Sequence, residues 1–173
     1  LAVLAMVAAA DWSRPICFSN TVEDVYYNGL GKYLIQEGEV LRFVPVRFEE
    51  NQRGYTAMNT QKSFDVVMKD FKYGGMGERE MFMDENSARI MNTLKSVHFS
   101  IADDLIRNNR KPDAVKVLDK VKKEFSYVNA PYYTPNNRFF NVLSVQWIDL
   151  YYRADARDAS KSIKELFIKD LKD

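Results

Sequence analysis

The sequence is poor in the side chains that most enzyme chemistry relies on. It holds one cysteine, Cys17, and one histidine, His98, in 173 residues. A single cysteine excludes an internal disulfide framework and a cysteine-ligated zinc site. A single histidine excludes a His–His metal pair and leaves no obvious histidine-based catalysis. An excess of one charge is lacking too. The 25 Lys and Arg residues against 24 Asp and Glu leave +1, which excludes a strongly basic nucleic-acid binder and an acidic tail. A bilayer-spanning run of about 20 apolar residues is missing as well. The opening LAVLAMVAAA stops at Asp11, and no basic region precedes it as in a secretory signal. This segment is expected to be a core helix or its remnant. Because the chain opens on Leu1, it is expected to be a piece of a longer protein.

What is present suffices for a packed core: 46% of residues are hydrophobic and 28% charged. The pattern predicts an α+β chain that is mostly α. It divides into a small parallel α/β unit over 1–48, a polar loop over 49–60 and a helical region over 61–173. In the first part, Asp11 to Pro15 is a turn, because Pro15 disfavours helix at Arg14. Ile16 to Ser19 reads as a buried strand with Cys17 as a structural thiol. Leu30, Tyr33, Leu34 and Glu37 have helical spacing, with Gly38 where a C-cap belongs. Val40 to Val46 reads as a second strand. Strand, helix, strand at this spacing implies a parallel pair.

In the helical part, Ser63 resembles an N-cap of a helix ending at Gly74-Gly75. Asp84 or Asn86 then starts a long helix with Ile90, Leu94, Val97, Ile101, Leu105 and Ile106 on one stripe. After the Asn108 to Pro112 turn, Ala114, Val117, Leu118, Val121 and Phe125 form a second stripe. The pattern returns with Phe139, Val142, Leu143, Trp147, Leu150 and Tyr151, and then with Ala159, Ile163, Leu166 and Phe167. A shift of 45 residues overlays the two hairpins, Ala114 falling on Ala159. A small residue early in each second helix lets two helices approach, as in tetratricopeptide (TPR) hairpins, although the TPR period is only about 34. Trp147 is expected to pack against Leu118 or Ile163.

Candidate chemistry is sparse. His98 has the plainer role of a packed or solvated histidine. The acids Glu78, Glu80, Asp84 and Glu85 could attract a cation, but Asp84 and Glu85 suit a helix start. The clusters Gly29-Leu30-Gly31 and Gly74 to Gly77 match neither a P-loop nor a dinucleotide fingerprint. No metal site and no cofactor are expected. Segment 107–124 carries seven basic residues, either a solvated face or a contact for an anionic surface. The aromatics from Tyr127 to Tyr152 are mostly core, with some free to line a groove. On the first helix of each hairpin, positions off the stripe include Arg89, Asn92, Lys95, Asn141, Gln146 and Tyr152. These are the candidate partner-binding residues.

The run Asp11 to Ser19 resembles the "NDWKRPIYFA" segment of a family of large bacterial polytopic membrane proteins of unknown function, related to protein O-mannosyltransferases. Gly29-Leu30, Tyr33-Leu34, Gln36 to Gly38 and Leu41 to Val46 are similar to its "GLxxYLxxEGLxYRLVPI" continuation. Met83 to Asn86 with Arg89 resembles its "LDENxxRM" helix start, and Ala102, Leu105, Ala114 and Leu118 match its TPR-like stretch. The resemblance implies the soluble C-terminal region of such a protein, on the periplasmic side of the inner membrane. The membrane part, with its lipid-linked sugar and catalytic carboxylate, would lie upstream, so no catalytic residue is carried over. The expected function is a non-catalytic accessory domain that binds an acceptor polypeptide or partner protein, with the upstream membrane region as a further partner and no nucleic acid. The alternatives are a small free-standing enzyme with a site near Ser19, Asn20 and Val46, and a purely structural scaffold.

Overall fold

The computed structural model describes residues 2–10, 12, 14–48, 57–135 and 138–172. Residues 49–56 of the expected loop, and Asp11 and Ser13 of the expected turn, lie outside the described residues, as do the side chains of Phe139 and Phe140. The fold is α+β and mostly α, with a small mixed sheet. The chain forms two units, Leu1–Val66 and Val67–Asp173.

The first unit opens with helix α1 (Ala2–Ala9). Its Val7 packs on a small core of Tyr27, Leu34, Leu41 and Phe43. The sheet has the order β1-β3-β2-β4, built from β1 (Cys17–Ser19), β2 (Leu34–Glu37), β3 (Val40–Phe43) and β4 (Ala57–Met58). β1 and β3 are antiparallel, with Phe18 opposite Leu41, which corrects the expected parallel pair. The connecting segment is not the expected helix. It forms 3-10 turns at Asp24–Tyr27 and Gly31–Tyr33, then extends into β2. With no crossover helix, β3 returns through a hairpin and must run antiparallel to β2. Gly38 is the first residue of that two-residue turn, at φ +66. A hairpin turn and a helix cap both need glycine at positive φ, so the sequence suits either. Only β4 adds in parallel, beside β2.

Cys17 is exposed, contrary to the buried thiol expected. β1 is an edge strand that turns Phe18 inward and Cys17 and Ser19 outward. Ser63 is not an N-cap. Asn59 caps α2 (Thr60–Asp65), accepting from the Lys62 N–H at 3.2 Å. The Ser63 hydroxyl is buried, accepting from the Gly38 N–H at 3.0 Å and donating to the Gln36 carbonyl at 3.2 Å. The helical stretch ends with a π-helical turn at Val66–Asp70, short of Gly74-Gly75.

The second unit contains α3 (Glu85–Arg107), α4 (Lys111–Glu124), α5 (Arg138–Arg153) and α6 (Arg157–Lys172). Asp84 caps α3, accepting from the Ser87 N–H at 2.7 Å. Pro112 lies in the first turn of α4, where its missing N–H costs nothing. Val97, Ile101, Leu105 and Ile106 of the expected stripe are buried, but Ile90 is 60% exposed, and Met91, Asn92, Lys95, His98 and Phe99 are buried as well. α3 packs against both α4 and α5, so it buries a wider face than one stripe.

The two hairpins close identically. Asn109 and Asp155 hold left-handed conformations, φ 59 and 64. The Arg110 N–H bonds the Leu105 carbonyl at 2.8 Å, and the Ala156 N–H bonds the Tyr151 carbonyl at 2.9 Å. The shift relating them is therefore 46 residues, not 45. It carries Val97 onto Leu143, Ile101 onto Trp147 and Val117 onto Ile163, all buried, whereas Val142 is 55% exposed. The small residue matching Ala114 is Ser160, not Ala159; its hydroxyl donates to the Ile148 carbonyl at 2.9 Å.

Candidate functional site

α3 carries two buried titratable groups on adjacent turns, Lys95 and His98. They face different surroundings. His98 sits among Phe71, Tyr73 and Phe125, with ring centroids 5.7 to 6.0 Å away. Its Nδ1 lies 2.6 Å from the Leu94 carbonyl, which can only accept, so Nδ1 carries the proton. Its Nε2 then accepts from the Tyr73 hydroxyl at 2.6 Å. Burial, with a smaller push from the Lys120 charge, lowers the imidazole to about 4. Lys120 itself is occupied, donating to the Val67 and Met68 carbonyls at 2.7 and 3.0 Å. His98 is thus a satisfied, neutral core residue.

Lys95 is different. Its ammonium lies 5.7 Å from the centroid of the Phe125 ring. Among the described residues no carboxylate or carbonyl pairs with it, and burial alone pushes it down to about 8. It lines a partly open cavity of about 140 Å3. α3 supplies Ala88, Met91, Asn92, Lys95 and Phe99 to the wall; α5 supplies Leu143, Ser144 and Trp147. The 129–134 loop closes the third side through Asn129, Ala130, Pro131 and Thr134.

That loop is held firmly. The Asn129 amide accepts from the Met81 N–H at 2.8 Å and donates to the Met76 and Arg79 carbonyls, each at 2.7 Å. Asp170 accepts from the Tyr132 and Tyr133 N–H groups and from the Tyr127 hydroxyl. Ser144 donates to the Tyr132 carbonyl at 2.6 Å. Trp147 is buried, with Phe99, Tyr132 and Tyr151 as ring neighbours at 5.3 to 6.3 Å. The neighbouring Tyr151 hydroxyl donates to Asp119 at 2.8 Å.

The structure brings two of the six candidate binding residues into this cavity, Asn92 and Lys95, both buried rather than on an open face. Asn92 donates to the Ala88 carbonyl at 2.7 Å. Asn141 lies beside the rim, exchanging hydrogen bonds with the backbone of Thr134 at 2.9 and 3.2 Å. Arg89 is exposed and reaches Asn86, Gln146 is half-buried, and Tyr152 is 58% exposed under the Arg157 guanidinium. Sequence reasoning missed Ser144, Thr134 and Asn129, because nothing in the chain announces that the 129–134 loop folds over α3.

Other candidates carry less. Among the described residues no three His, Cys, Asp or Glu side chains gather to hold a metal. Gly74 and Gly75 form a turn at positive φ, and Gly77 passes so close to the Lys123 carbonyl that a Cβ would lie 2.2 Å from it. Five of the seven basic residues in 107–124 are engaged within the fold. Arg107 pairs with Asp103, Arg110 and Lys116 with Asp113, Lys111 with Asp155, and Lys120 with carbonyls. This weakens the case for a contact with an anionic surface.

Residues 1–65 are similar to the family model described as TMEM260-associated domain 2. That match ends before the cavity. No curated protein and no solved structure matches the chain. No described helix is long and apolar enough to cross a membrane.

Proposed function

We propose that this chain is a non-catalytic, extracytoplasmic domain of a membrane glycosyltransferase-like protein. Its hairpins would bind an acceptor polypeptide or a partner protein on the periplasmic side of the inner membrane. The likeness of residues 1–65 to a TMEM260-associated domain supports the membrane-protein link, since TMEM260 is related to protein O-mannosyltransferases. The observation that carries the binding half is the cavity. It lies between the first helices of two equivalent hairpins, the helices that line the concave face in TPR-like arrays, and Lys95 in its wall has no counter-ion among the described residues.

The enzyme alternative relied on a crevice at the ends of parallel strands. With β1 and β3 antiparallel, Ser19 and Val46 no longer mark such a shared edge. An NMR titration of the labelled chain with Ser/Thr-rich acceptor-like peptides tests the proposal. Saturable shifts on α3 and α5 are expected, at a Kd of roughly 10–100 μM for so short an array. Shifts confined to 107–124, or none at millimolar peptide, would leave a charged-surface contact or a scaffold instead.

A further inference from the structure

The cavity of the second unit holds an imbalance that the fold leaves open. Most of its wall is hydrocarbon, from Met91, Phe99, Ala130, Leu143 and Trp147. The polar groups there are largely spoken for: the amide N–H of Asn92, the hydroxyl of Ser144 and the whole side chain of Asn129 bond to backbone. Lys95 is left, a residue only 6% exposed whose ammonium has no anion among the described residues. A buried charge is costly unless paired, so an anion that enters gains the pairing and removes that cost.

We infer that this cavity binds one carboxylate carried on an apolar body of about six carbons, the carboxylate pairing with the Lys95 ammonium. Charge selects the head group. One ammonium balances one carboxylate, whereas a phosphate dianion would bring surplus charge into hydrocarbon. Volume selects the body: an apolar cavity of about 150 Å3 is known to hold benzene, and this one is about 140 Å3. Phe99 and Trp147 add aromatic carbon to the wall beside such a group. A small free acid meets this description, and so does the C-terminal residue of a chain ending in Leu or Phe. The peptide source rests on the binding-face reading given above; the small-acid source does not.

The test is a titration of the labelled 173-residue chain, read at the Trp147 indole N–H and the backbone of α3 and α5. The probes are benzoate, neutral benzamide, and a peptide ending in Leu as free acid or as amide. Saturable benzoate shifts are expected, weakened roughly tenfold or more for benzamide and in Lys95→Met, as loss of a charge-assisted bond implies. Lys95→Gln serves as a second variant, and the amide spectrum shows whether each remains folded. Benzoate binding without peptide binding supports the carboxylate site and counts against the peptide source. Stronger binding of free-acid peptide than of amide supports both. No benzoate shift at 10–20 mM probe (about −2.5 kcal/mol or weaker), or equal binding of acid and amide in wild type and Lys95→Met, overturns the inference. Peptide shifts on α3 and α5 that ignore the terminal carboxylate would overturn the peptide source, while leaving the proposed function standing.

Discussion

The Tyr73 hydroxyl and His98 Nε2 meet at 2.6 Å inside the second unit, joining the segment before α3 to the middle of that helix. The bond requires a neutral imidazole, because Nε2 must accept. Burial holds His98 at about 4 in the folded state, against an ordinary 6.5. Below pH 6.5 the unfolded chain takes up a proton that the folded chain refuses. Stability is then full above about 6.5 and falls as pH drops towards 4, by about 3 kcal/mol. Urea midpoints measured at pH 7, 5.5 and 4.5 should show this fall, and His98→Gln should flatten it. An unchanged slope in His98→Gln would assign the effect to carboxylates.

Tyr73→Phe keeps the ring contacts with Phe71 and Phe125 and removes only the donor. Nε2 is then buried without a partner. The cost should be about 1–3 kcal/mol in urea unfolding. A loss under about 0.5 kcal/mol would mean that water reaches Nε2 and that the pair is not closed.

Lys95 predicts the same sign of pH dependence in a more alkaline window. Its folded-state value of about 8 lies below the ordinary 10.5. Between those values the unfolded chain binds the extra proton, so stability rises as pH climbs from 8 towards 10, where tyrosines begin to titrate. Lys95→Met should stabilise the unliganded chain at pH 7 by about 1–4 kcal/mol and abolish that rise. A destabilised Lys95→Met would show that the ammonium has a partner after all.

The parts legible in the sequence are those with local causes. Asp84 caps α3 and Pro112 opens α4 because caps and proline act within one turn. The sheet was hidden, since Leu30, Tyr33 and Leu34 fit a helix as well as they fit the 3-10 turn and β2. The register of 46 was hidden because Val142 and Leu143 are both apolar, and only packing chooses Leu143. Asn92 and Lys95 were legible as residues of interest but not as buried ones. An amphipathic helix places polar side chains in water, unless a second cover such as α5 and the 129–134 loop closes over them.

Trp147 tests that cover. It is 1% exposed, stacked on Tyr151, tilted against Phe99 and edge-on to Tyr132. Trp147→Ala should cost about 3–5 kcal/mol, since the rigid loop cannot collapse into the space. A cost below about 1 kcal/mol would place the indole at the surface and remove the wall of the cavity.

The twin turns give a more selective test, because Asn109 and Asp155 occupy the same left-handed position in equivalent hairpins. A side chain in that conformation costs about 1–2 kcal/mol, and glycine escapes it. Glycine also loosens the unfolded chain by about 0.4–1 kcal/mol. Asn109→Gly should therefore gain about 0.5–1 kcal/mol. Asp155→Gly gains the same backbone relief but loses the Lys111 ammonium, 2.7 Å from its carboxylate. Lys111 holds the Asp155 carboxyl below its usual range, so its charge persists at neutral pH. The pair is exposed, so salt screens it. At low salt Asp155→Gly should gain less than Asn109→Gly, and in 1 M NaCl the two should converge. If Asn109→Gly is destabilising at either salt, Asn109 is not left-handed, and the equivalence of the two hairpins at 46 residues fails with it.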